Sequence, residues 1–195
     1  MDFGEFIRSL TTFDLVYFLF LFGFFVLGFA QGTIRRLLGL AAVGFSFLFA
    51  ANLRDPLGSF LAANWTQFPR EYAYMIGFLT IFLAAWIAFT VAIQTFYTTQ
   101  PLFEKYRFVD EVIGGILGVI EAGLLLVIAI VILDSFFRVP GIPESGNELR
   151  FLRDFWNWMD VAQVTSFFRD NILPVFFAIF GIFIPDDIEQ LVTGP

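Results

Sequence analysis

Two long apolar runs separated by a handful of residues constrain this chain more than any other feature. They lie between Asp14 and Ala51, DLVYFLFLFGFFVLGFAQGTIRRLLGLAAVGFSFLFAA, and are broken only by Gln31, Gly32, Thr33, Ile34, Arg35 and Arg36. The first run is about 18 residues long, close to what a helix needs to cross ~30 Å of hydrocarbon. The second, about 15 residues, crosses only if its basic start lies within the headgroup layer. In hydrocarbon every backbone N–H and C=O must be bonded within the protein, so both runs are read as helices. So short a break forces the chain to reverse at once. The expectation is a helical hairpin that puts Arg35 and Arg36 at one membrane face.

Composition removes whole classes of chemistry. The chain of 195 residues is 58% hydrophobic and has neither cysteine nor histidine, which excludes disulfides, thiolate or imidazole metal ligation and histidine acid–base catalysis. Neither a metal nor another cofactor is expected, and the lack of histidine argues against a haem- or bacteriochlorophyll-carrying subunit. The net charge of −7, concentrated in the C-terminal third, argues against nucleic acid as a partner. Thirty phenylalanines mean that helix contacts set large flat rings against small residues.

In chain order, MDFGEFIRSLTT begins acidic and is not read as a signal peptide. Phe3, Phe6, Ile7 and Leu10 recur at helical spacing, which predicts a short helix on the membrane surface. Thr12 or Asp14 is the expected cap of the first span. Gly28 and Gly32 form a GxxxG pair, read as ordinary close packing in preference to a dimer motif. Residues 52–71, with Asp55-Pro56, Gly58 and Pro69, read as a polar connection along the interface. The third run, about residues 72–97, carries Thr80, Thr90, Gln94 and Thr95, read as groups that hydrogen-bond between helices. The fourth, residues 112–134, contains a second GxxxG pair, Gly114 and Gly118, with Gly115 and Gly123 as further packing glycines.

The last third changes character. A loop is expected over residues 136–147, then an amphipathic helix with Leu149, Leu152, Phe155, Trp156 and Met159 on one side. The final apolar run, Ile172–Ile184, is about 13 residues, short for a span, and Arg169, Asp170 and Asn171 are expected to stop its extension backwards. The predicted architecture is all-α. Residues 1–137 form a four-helix membrane bundle of two hairpins, with spans at residues 14–31, 34–52, 72–97 and 112–134. Residues 138–195 form an interfacial region.

No catalytic constellation is visible: there is no nucleophile with a base, no P-loop and no metal-ligand spacing. The carboxylate pairs Asp110-Glu111 and Asp186-Asp187 read as solvated helix ends. Glu121 stands apart, since a carboxylate near the centre of a span costs about 2.5–3.5 kcal/mol on insertion scales and needs a partner, a water-filled cavity or a proton. An arginine inside the bundle is preferred to an ion or proton pathway.

Asp14 ahead of the first span, Gly28, Gly32 and Arg35 around the hairpin, and Asp110, Gly114 and Gly118 in DEVIGGILGVIEAGLLLV together resemble the colicin V production protein family, over roughly residues 14–134. Gln31 stands where the family often has arginine. Glu121 stands where it commonly has arginine, and Arg36 where it often has an acid. Exchanged signs are what a direct Arg36–Glu121 pair permits, although Glu121 lies ~13 Å into its span. The resemblance implies a small, non-enzymatic, multi-pass protein of the bacterial inner membrane, linked to production or export of a peptide toxin and to envelope homeostasis.

Three functional classes follow. The first acts in the lipid bilayer through contacts with other membrane proteins or copies of itself. The second is an accessory subunit of a photosynthetic or respiratory complex. The third is an oligomeric transporter or channel. Arg35, Arg36, Lys105 and Arg107 in the short linkers place both hairpin tips in the cytoplasm and both termini outside.

Overall fold

The computed structural model describes residues 10–97, 102, 106–138 and 149–184, which form six helices and no strand. The surface helix expected around Phe3–Ile7, Lys105, most of the loop before residue 149 and the Asp186-Asp187 pair lie outside the described residues.

Helix α1 (Thr12–Gln31) starts with a capping box, and its cap is Thr11 rather than Thr12 or Asp14. The Thr11 hydroxyl oxygen accepts the Asp14 N–H at 3.3 Å, while the Asp14 carboxylate accepts the Thr11 N–H at 2.7 Å. The chain then turns at Gly32, whose φ of +77° is the left-handed region that favours glycine.

Helix α2 (Thr33–Asn64) does not end near residue 52 as the polar composition suggested; it runs for 32 residues through Pro56. The reason is that its buried positions, Val43, Phe47, Ala51, Arg54 and Gly58, keep helical spacing past the proline, which sits on the exposed side. Gly58 lies directly under Tyr74 of α3 (Arg70–Phe96), and a Cβ on Gly77 would stand 3.1 Å from the Gly58 nitrogen. A short turn from Trp65 to Phe68 closes this pair of helices.

Packing follows glycine rather than chain order. α1 and α2 barely touch. α1 lies along α4 (Arg107–Phe137), whereas α2 packs on α3 and also on α4. Among the described residues, only the α2–α3 pair is thus an extensively packed hairpin of sequence neighbours. α4 also extends past its expected end, because Phe136 is buried edge-on against Tyr72 of α3.

The C-terminal part holds α5 (Arg150–Asp160) and a continuous helical stretch, α6 (Gln163–Phe183), with a π turn at Phe168–Ile172 and a final 3₁₀ turn. Arg169, Asp170 and Asn171 therefore do not stop the helix. Five helices, not four, have the length and composition to cross a membrane. The ends of α6 are both tied to one end of the bundle. Gln163 and Val164 donate their N–H groups to Asp14, and the Asn52 side chain donates to the Phe183 carbonyl at 3.1 Å. Asp14 and Asn52 lie about 27 and 30 Å from Gly32 along α1 and α2.

Candidate functional site

The buried carboxylates of the bundle fall into three clusters, each built from residues far apart in sequence. At the first, Arg36 in the opening turn of α2 faces Glu121 in α4, with Arg36 Nη1 2.6 Å from Glu121 Oε2. Both side chains are less than a tenth exposed. The depth difference is bridged from both sides. Gly39 leaves the carboxylate room, since a Cβ there would stand 3.1 Å from either oxygen, and the Arg36 guanidinium lies over the Phe24 ring at 5.5 Å. Arg36 Nε is buried and has no partner.

Beside this pair is a cleft of about 180 Å³ between α1, α2, α3 and α4, whose polar walls are Gln31, Arg35, Arg36, Thr90, Gln94 and Glu121. Thr80, Thr90 and Gln94, expected to bond between helices, donate to no neighbouring helix among the described residues. Thr95 donates to the Val91 carbonyl of its own helix at 2.8 Å.

The second cluster surrounds the Gly32 turn. Asp110 is 4% exposed, so it is not the solvated helix end expected of it. Its carboxylate accepts the Leu102 N–H at 3.1 Å, its backbone carbonyl accepts the Thr33 hydroxyl at 3.0 Å, and Oδ2 occupies the space where a Gly32 side chain would be. Glu111 instead pairs with Arg107 at 2.9 Å. From here a seam of glycines joins α1 to α4. Gly28 and Gly114 are packed backbone to backbone, Gly118 lies against the Phe24 carbonyl, and Gly115 lies under the Phe25 ring. The Gly28/Gly32 motif therefore packs within the chain. Gly123 is no close-approach position: a Cβ there would meet only the Phe168 ring, at an ordinary 3.6 Å.

The third cluster ties the C-terminal part to the bundle and was missed in the sequence. Asp134 is fully buried and receives Arg169 through two bonds, Nε–Oδ2 at 2.8 Å and Nη2–Oδ1 at 2.7 Å. Trp156 Nε1 donates to the same carboxylate at 2.9 Å, and Arg169 Nη1 reaches Asp160 at 2.6 Å. The available signal was the pair of an acid closing an apolar helix and an arginine opening the next apolar run. Asp14 belongs to the same end of the molecule, accepting Val164 N–H at 2.8 Å. Tyr17, also unremarked in the sequence, donates its hydroxyl to the Ala122 carbonyl at 3.2 Å. No group of three carboxylates among the described residues is arranged to hold a metal ion.

The family described as colicin V production protein matches residues 13–174, which takes in α5 and part of α6 as well as the four preceding helices. The relationship thus extends beyond the residues 14–134 over which it is legible by eye. No curated protein and no solved structure matches the chain. Helices of this length and apolarity make it a multi-pass membrane protein, and the chain belongs to the colicin V production protein family.

Proposed function

We propose that this is a non-enzymatic protein of the bacterial inner membrane that serves toxin production or export, or envelope homeostasis, by assembling with other membrane proteins. The supporting observation is how its buried carboxylates are used. Asp14 binds backbone N–H groups of two helix starts, Asp110 holds the Leu102 N–H just ahead of α4, Glu121 holds Arg36, and Asp134 holds Arg169 and Trp156. Three of the four, Asp14, Glu121 and Asp134, join elements distant in sequence, which is the pattern of a frame rather than of acids poised for proton transfer. Such a frame presents its remaining surface, including Leu15, Leu19 and Phe22 on α1, to lipid or to a partner.

The cleft beside Arg36 favours a second reading, an oligomeric transporter or channel, because it brings polar side chains of four helices together. Purification in mild detergent, followed by mass spectrometry of co-purifying subunits, separates the two. A defined complex with envelope proteins supports the first reading, and a complex with photosynthetic or respiratory subunits replaces it with an accessory role. Self-assembly with solute flux in proteoliposomes establishes the transporter.

A further inference from the structure

The cleft beside the Arg36–Glu121 pair holds more hydrogen-bonding capacity than the chain uses. Arg35 is half-buried in its wall and makes no hydrogen bond or ion pair among the described residues, and the same holds for the side chains of Gln31, Thr90 and Gln94. Arg36 is 5% exposed, and with Nη1 committed to Glu121 its Nε still finds no acceptor. That Nε is sealed from the cleft, so Arg36 lends the wall its charge, while Arg35 is the half-buried guanidinium lining the cleft with no partner among the described residues. Two guanidiniums face one carboxylate, which leaves the cleft with one excess positive charge.

Chemistry selects the ligand. Guanidinium N–H groups only donate, and amide and hydroxyl groups can also donate, so the complement is an anion rich in acceptor oxygens. A tetrahedral phosphate can meet donors arriving from three helices, whereas the two coplanar oxygens of a carboxylate cannot meet them all. Position adds a second constraint. Gln31 and Arg35 flank the Gly32 turn at the end of the bundle, while Trp86 lies roughly 12 Å deeper along α3 than Gln94. Phe24 and Trp86 give the inner part of the cleft an apolar wall, suited to an acyl chain attached to the anion.

We propose that this cleft is a binding site for a phosphate-type anion, with Arg35 as the charged donor, Gln31 and Gln94 as amide donors, and the Arg36 charge behind them. The assignment is independent of whether the protein acts as a frame or as a transporter.

The test uses the full chain, delipidated in a maltoside detergent, with thermal unfolding and native mass spectrometry as readouts. Phosphatidylglycerol, phosphatidylcholine and inorganic phosphate are the probes. Phosphatidylglycerol is expected to raise the unfolding temperature and remain bound. Arg35→Gln is expected to weaken it about tenfold, the loss of one charge-assisted bond. Arg107→Gln, which alters an exposed guanidinium outside the cleft, leaves binding unchanged. Gln94→Leu keeps every charge and costs a few-fold, which decides the matter if Arg35→Gln does not fold. Inorganic phosphate acting with the same Arg35 dependence, without phosphatidylglycerol binding, assigns the site to a soluble phosphate. Binding of phosphatidylglycerol alone assigns it to a lipid headgroup. The proposal fails if neither probe stabilises the protein, if phosphatidylcholine binds as well as phosphatidylglycerol with no Arg35 dependence, or if Arg107→Gln weakens binding as much as Arg35→Gln.

Discussion

Arg36 Nη1 and Glu121 Oε2 stand 2.6 Å apart, joining the start of α2 to the middle of α4 across 85 residues of sequence. Removing one member of a buried pair strands the other charge, at about 3–5 kcal/mol. Arg36→Ala and Glu121→Ala are therefore each expected to lower the unfolding temperature in detergent strongly. Glu121→Gln, which leaves a neutral acceptor, costs less. The exchange Arg36→Glu with Glu121→Arg restores much of the loss, since the attraction depends on opposite charge and not on which helix carries which. A double exchange as unstable as the summed single changes means that the pair contributes nothing.

The Asp134–Arg169 pair predicts a different pattern. Arg169 uses three nitrogens on two carboxylates, a fork that a lysine ammonium cannot reproduce. Arg169→Lys is thus expected to lose most of the stability that Arg169→Ala loses, on the order of 2–4 kcal/mol given that Trp156 and the more distant Arg138 still face Asp134. Tryptophan emission, sensitive to the Trp156–Asp134 bond, should shift with it. Full rescue by lysine would reduce the cluster to simple charge neutralisation.

The glycine seam gives a control inside the same helix. A Cβ on Gly28 would strike the Gly114 backbone, so Gly28→Ala must push α1 from α4, at about 1–3 kcal/mol. Nothing lies within 4 Å of a Cβ at Gly23, five residues earlier on α1, so Gly23→Ala should be neutral or stabilising by up to about 1 kcal/mol. Equal losses at both positions, measured by thermal unfolding, would show that the seam does not set the helix spacing.

Length alone allows α6 to cross the membrane, but its ties to Asp14 and Asn52 draw both its ends to one end of the bundle. α6 is therefore expected to lie across that end. Single cysteines replacing Arg153 and Glu189, on either side of α6, should be labelled by an impermeant reagent from the same side. With positive charge concentrated at the hairpin tips, that side is the outside. Labelling from opposite sides would make α6 a fifth span.

What could be read from the chain, and what could not, divides along physical lines. The apolar runs, the reversal at Gly32 and the oddity of Glu121 are local facts, visible in composition and spacing. Helix pairing is not local. α1 lies on α4 because Gly28 meets Gly114 and Gly118 meets the Phe24 carbonyl, and neither glycine pair names its partner from spacing alone. Pro56 and Asp55 looked like the end of a helix because their exposed side was read without its buried one, Arg54 and Gly58. Arg169 looked like a stop signal for the same reason: its charge is visible in sequence, whereas the carboxylate that neutralises it lies 35 residues away.

The bond between Asp14 and Val164 also sets an order of events. The two residues are 150 positions apart, so at roughly 5–20 residues per second the ribosome delivers Val164 roughly 8–30 s after Asp14. Throughout that interval the carboxylate already sits at the head of a helix entering lipid, with its final partner not yet made. The Thr11 N–H and hydroxyl, at 2.7 and 2.9 Å, occupy it in the meantime. The capping box thus gives the carboxylate partners that persist in the finished fold, and the arrival of α6 completes the acceptor's set of bonds without displacing the first.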